Sequence, residues 1–116
     1  MIGRDNKTLT HTGIDKILQF LPVFKGKDFN IEQWSFFEFV LYDEGFILYK
    51  FDWPNWKYGR RLLQNQELIQ KANLLTLRKL MTTNIRYNRF CEGHWAGCCK
   101  DGTIVTILER LKELTK

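Results

Sequence analysis

Two stretches of the chain carry a regular helical stripe. Leu74, Leu77, Leu80, Met81 and Ile85 fall on one side when successive residues are placed 100° apart, and Asn73 stands where an N-cap belongs. The same projection sends Arg78, Lys79, Thr82, Arg86 and Arg89 to the opposite side, which predicts a helix over about Leu74–Asn88 with one basic face. Ile104, Ile107, Leu108, Leu111 and Leu114 repeat the pattern, giving a second helix from about Thr103 to Leu114. Ile14, Ile17, Leu18 and Leu21 form a third, shorter stripe. Thr12 with Asp15 is the expected start of that helix, as an approximate capping box, and Pro22 is expected to end it or kink its last turn. Gly26 and Asp28 then predict a loop.

The middle of the chain supports two assignments. Phe36, Phe37, Phe39, Val40 and Tyr42 ahead of Asp43-Glu44-Gly45 suit the first strand of a hairpin. Against that, Phe39-Val40-Leu41 breaks any alternation, Asn30 with Gln33 forms a capping box, and Gly45 is well placed to stop a helix. Helix is the assignment adopted over Asn30–Tyr42. Phe46–Phe51 reads as a short extended segment running into Asp52-Trp53-Pro54-Asn55-Trp56, where Pro54 turns Trp53 away from helix. Short helices are predicted over Tyr58–Leu63, over Gln66–Lys71 capped by Asn65, and over His94–Lys100 between the Phe90–Gly93 turn and Asp101-Gly102. The expected fold is mainly α: one bundle of about five to six helices over residues 12–116, with at most a short extended segment or hairpin near residues 36–53. Residues 1–11 are expected to be a flexible lead-in.

Composition narrows the class. The 116 residues suit one domain, and 44% hydrophobic, 27% charged and 15% aromatic residues describe an ordinary globular chain rich in rings. No apolar run approaches the about 18 residues of a membrane span, and Met1–His11 lacks a signal-peptide core. Three cysteines, an odd number, suit reduced thiols in a cytoplasm better than a disulfide scaffold. The net charge of +5 is uneven: residues 1–56 hold six Lys/Arg against eight Asp/Glu, whereas residues 57–116 hold twelve against five. A basic C-terminal half suits an acidic protein or nucleic acid as partner, or is simply a solvated face. Monomer and homodimer are equally compatible with the sequence.

Site-like chemistry concentrates in Arg86-Tyr87-Asn88-Arg89-Phe90-Cys91-Glu92-Gly93-His94-Trp95. A connector needs only turn residues; this one adds two arginines, a carboxylate, an imidazole, a thiol and large rings. Arginine grips carboxylates and phosphates bidentately and keeps its charge, so Arg86 and Arg89 are candidates for holding an anion. The structural alternative pairs one of them with Asp52 or Glu92 inside the fold. Cys91-x-x-His94 is acceptable metal-ligand spacing, but adjacent Cys98 and Cys99 point about 100° apart on a helix, so no metal is assigned. A thiolate at Cys91 or Cys98 activated by His94, or an Asp52/Glu92 acid–base pair, defines a small hydrolase or transferase as one alternative. No glycine-rich phosphate loop, H-E-x-x-H or G-x-S-x-G is present, and neither a cofactor nor a catalytic residue is assigned. Trp53, Trp56, Tyr58 and Trp95 either fill the core or, part-exposed, anchor a partner.

Phe51-Asp52-Trp53 and the R-x-x-R-F-x-x-G run of Arg86–Gly93 follow one another along the chain. With the helix Leu77–Thr82 before that run and Asp101-Gly102 and Ile107–Leu111 after it, they resemble a family of small, functionally uncharacterised bacterial proteins marked by F-D-W and R-F-x-x-G elements. The resemblance spans roughly residues 12–114. It implies a bacterial or phage-borne cytoplasmic protein and supplies no activity. The sequence thus nominates Asp52, Trp53, Trp56, Arg86, Arg89, Glu92, His94 and Trp95 as one binding locus, with Asp52 expected to pair with an arginine. The leading function is a non-enzymatic binding or adaptor protein for an acidic protein surface; nucleic-acid binding through the basic face of the 74–89 helix is the runner-up.

Overall fold

In the computed structural model, residues 8–26 and 30–115 are described. Thr10 opens the first helix: its extended backbone lets the hydroxyl accept from the Gly13 N–H at 3.0 Å, so α1 runs His11–Leu18. Thr12, the start expected from sequence, already lies in the first turn, and His11 belongs to the helix and not to a lead-in. Residues 1–7 of that lead-in and Asp28 of the expected loop lie outside the described residues. Pro22 neither ends nor kinks α1. The helix stops at Leu18, and α2 (Leu21–Gly26) restarts with Pro22 in its first turn, where no N–H is required.

The aromatic middle segment is helical. α3 (Ile31–Asp43) begins with the reciprocal capping box expected of Asn30 and Gln33, at 2.8 and 3.0 Å. It ends at Gly45 in a Schellman arrangement: the Phe46 N–H bonds the Leu41 carbonyl and the Gly45 N–H bonds that of Tyr42. Gly45 holds φ at 81°, a left-handed backbone that a side chain would strain by about 1–2 kcal/mol. No strand is found among the described residues. Residues 46–52 are irregular where a short extended segment was expected, with a bend at Ile47 and a turn at Tyr49 and Lys50, leading into one 3₁₀ turn at Trp53–Asn55.

The remaining helices are α4 (Tyr58–Gln64), α5 (Gln66–Ile69), α6 (Leu74–Tyr87), α7 (His94–Lys100) and α8 (Thr103–Leu114). Several are one or two turns long, which takes the number past five or six. Asn65 and Asn73 cap α5 and α6 through their side-chain oxygens. α8 is the hub and touches α7, α2, α5, α6 and α1. Its Ile104, Ile107, Leu108 and Leu111 are sealed from solvent, each worth about 1.5–3 kcal/mol of burial, whereas Leu114 is exposed and not inward. Against them lie Leu77, Leu80 and Met81 of α6, with Leu74 half-buried. A ring cluster of Phe20, Phe24 and Phe37, with centroids 5.0–6.4 Å apart, fills the other end. Gly93 and Gly102 both take left-handed backbone, so α7 hangs between two sharp bends.

Candidate functional site

α6 has three working faces. One is the core face described above. The second, expected to meet solvent, is covered by residues 45–51. Arg78 donates from Nε to the Phe46 carbonyl at 3.1 Å and from Nη2 to the Gly45 carbonyl at 2.8 Å. One turn on, the Thr82 hydroxyl accepts from the Leu48 N–H at 3.0 Å, and Thr82 is 0% exposed. One turn further, Arg86 lies over the Tyr49 ring at 6.0 Å, and Lys79 lies over the Phe51 ring at 5.5 Å. A segment without strand partners leaves carbonyls and N–H groups unpaired, and this stripe satisfies them. The basic face is therefore in large part a clamp.

The third face, Thr83, Asn84 and Tyr87, opens onto a cleft of about 710 Å³. Its other wall is Trp53, Pro54, Trp56, Lys57, Gly59, Arg60 and Leu63, and Phe90 and His94 complete it. Trp53 meets Tyr87 edge-on at 6.4 Å and Phe90 at 6.0 Å, so the F-D-W segment and the Arg86–Trp95 turn do meet in space. Phe90, which also lines the cleft, is 76% exposed. No carboxylate is among the lining residues, while Lys57 and Arg60 are.

The floor of the cleft is polar. Buried Asn84 donates from Nδ2 to the Leu80 carbonyl at 2.7 Å and turns Oδ1 toward His94 Nε2 at 2.6 Å. Cys98 Sγ lies 3.7 Å from that nitrogen and 3.8 Å from Oδ1. The Tyr87 ring stands edge-on to the imidazole at 4.8 Å. Burial pushes the Cys98 thiol up to about 12, with the Asp101 charge adding to it, so the sulfur stays protonated near neutral pH. Burial lowers His94, which keeps the ring neutral there; Asp101 opposes this in part. A protonated thiol beside a nitrogen already donating to an amide is not an activated nucleophile.

The nominated locus is divided by α6. Trp53, Trp56 and His94 share the cleft. Arg86 and Arg89 lie toward α3, where burial raises the Glu38 carboxyl and the Arg89 charge pulls it back down. The ion pair expected of Asp52 is not found: its Oδ2 accepts from Asn55 Nδ2 at 2.8 Å, a local partner three residues on. Ion pairs among the described residues include Lys16–Glu44, Lys25–Glu109 and Arg110–Glu113. Glu92 and Cys91 are exposed, and neither lines the cleft. Trp95 is a core residue, 2% exposed and stacked on Phe37 at 6.1 Å with 8° between ring planes. Sequence reasoning missed Asn84, Lys57 and Arg60. Only Asn84 left a signal, as a polar residue between Leu80, Met81 and Ile85 on the apolar side of its helix.

Among the described residues no group of three or more His, Cys, Asp or Glu is placed to hold a metal ion, and no helix is long and apolar enough to cross a membrane. Residues 32–116 match the profile of a family of unknown function, DUF6508. The match begins inside α3, so α1 and α2 lie outside it. No curated protein and no solved structure gives a significant match.

Proposed function

The chain belongs to DUF6508, a family of unknown function, and on that premise we propose that it is a binding module that docks an acidic protein segment through the Trp53–Phe90 cleft. The observation that carries this reading is the lining itself: four part-exposed rings and two cations in one concavity, with no carboxylate. Rings of this kind supply apolar contact at low entropic cost and anchor protein partners. Lys57 and Arg60 favour an anionic ligand and disfavour a cationic one, so an aromatic cage for ammonium groups fits poorly. The neutral Cys98 thiol supports binding over thiol catalysis. Arg78 and Thr82, spent on the 45–48 backbone, leave the nucleic-acid alternative short of free groups on its face. Three free thiols support a reducing, cytoplasmic setting, and the F-D-W and R-F-x-x-G elements support a bacterial or phage origin.

The test is titration of an acetylated and amidated Glu-Glu-Phe-Glu-Glu peptide, followed by indole fluorescence and by the indole N–H signals in NMR. Perturbation is expected at Trp53 and Trp56 and not at buried Trp95. Trp53→Ala and Arg60→Glu are each expected to weaken binding at least about tenfold, as for a loss of 1.4 kcal/mol or more. Both variants should unfold at the wild-type urea concentration. Equal binding by wild type and Trp53→Ala, or equal binding of a Lys-for-Glu control peptide, rejects the reading.

A further inference from the structure

The cleft floor holds one ring whose proton positions are fixed by its neighbours. Asn84 Nδ2 is committed to the Leu80 carbonyl, so its Oδ1 faces His94 Nε2. A carbonyl oxygen only accepts, so Nε2 carries hydrogen whatever the charge of the ring. In the neutral ring the lone pair therefore sits on Nδ1, which has no hydrogen bond among the described residues. Resting on the reading of the cleft as a site for an acidic segment, we infer that His94 is its anion-reading residue: a ligand carboxylate docks against Nδ1 and is bound together with one proton from solvent.

Protonating Nδ1 leaves the Nε2–H···Oδ1 bond in place, so the floor has nothing to rearrange. The groups beside the ring and along the cleft do not supply the proton's counter-charge. Lys57 just before α4 and Arg60 on it are cationic, Tyr87 and Asn84 on α6 bring no carboxylate, and Cys98 on α7 is held as a thiol. Among the described residues Asp101, just past α7, is the acidic group acting on the ring, and burial outweighs it: His94 is held below its ordinary 6.5. An empty cleft thus keeps the imidazole neutral near pH 7. A carboxylate beside Nδ1 favours the charged form and raises the pH at which the ring titrates. The complex then holds more protons than the free chain, so affinity rises as pH falls, and the peptide and the proton strengthen each other by the same factor.

The experiment uses the full chain and the same Glu-Glu-Phe-Glu-Glu peptide at pH 7.5 and pH 5.5, where its carboxylates remain largely ionised. Binding is expected to tighten about tenfold at the lower pH. His94→Gln, whose amide can still donate to Asn84, should lose that gain, and His11→Gln should keep it. Without any substitution, imidazole ¹⁵N signals should show hydrogen on Nε2 in the free chain, and the His94 titration should move to higher pH when peptide is added. Binding that is lost in Trp53→Ala but equal at both pH values, or a neutral ring protonated on Nδ1, overturns the role of His94 and leaves the cleft reading standing. Absence of peptide binding at both pH values overturns the cleft reading, and this inference with it.

Discussion

Trp95→Ala is expected to lower the unfolding free energy by about 3–5 kcal/mol, the range for truncating a fully buried large ring. A domain of this size has roughly 5–15 kcal/mol in total, so the variant should be partly unfolded in dilute urea. The reason lies in α7: the indole stacks on Phe37, which also meets Phe20 and Phe24 at 5.0 Å, so one deletion opens a void shared by three helices. The Trp95 Nε1–H is buried and finds no partner among the described residues, which costs about 1–3 kcal/mol for an unsatisfied donor. Trp95→Phe removes that donor along with some volume, and its net cost should stay under about 1.5 kcal/mol. Urea midpoints distinguish the two. A Trp95→Ala chain as stable as wild type would return Trp95 to the list of ligand contacts.

Arg78→Ala is expected to cost about 2–3 kcal/mol, from two hydrogen bonds to a charged donor reduced by partial exposure. Burial also lowers the Arg78 guanidinium relative to its ordinary value, as expected of a cation held by carbonyls instead of water. Arg78→Lys should recover less than half of the loss, since a single ammonium cannot span both the Gly45 and Phe46 carbonyls. Lys79→Ala, one residue on and resting over the Phe51 ring, should cost under about 1 kcal/mol. Urea unfolding of the three variants checks the order. Equal, small losses at Arg78 and Lys79 would mean that this face is free to meet a partner.

These expectations show where periodicity served and where it did not. The capping asparagines at residues 30, 65 and 73, the stop at Gly45 and the bounds of α7 and α8 were legible because each depends on short-range geometry. Thr10 was passed over because Thr12 offers the same hydroxyl two residues later, and only backbone conformation separates them. Arg78 and Thr82 were assigned to a face away from the core because a helical projection sorts by polarity. It has no means of showing that a neighbouring loop will need donors there. His94 and Trp95 were nominated together, yet adjacent residues on a helix diverge by about 100°, and seven residues are too few for a stripe to show which points inward. Asp52 was matched with an arginine on charge alone; Asn55 satisfied it first by being closer along the chain.

The short rod α7 carries the cleft residue His94 and the core residue Trp95 side by side, suspended between Gly93 and Gly102. A ligand of the proposed cleft that held the imidazole would act on the same short helix as that core residue, so its occupancy is expected to register as heat resistance. A compound at a hundredfold excess over its dissociation constant adds about 2.7 kcal/mol to the folded form, enough to shift the thermal midpoint by about ten degrees. Dye-based scanning of a chemical library can therefore sort ligands for this chain by temperature alone, before any partner is known.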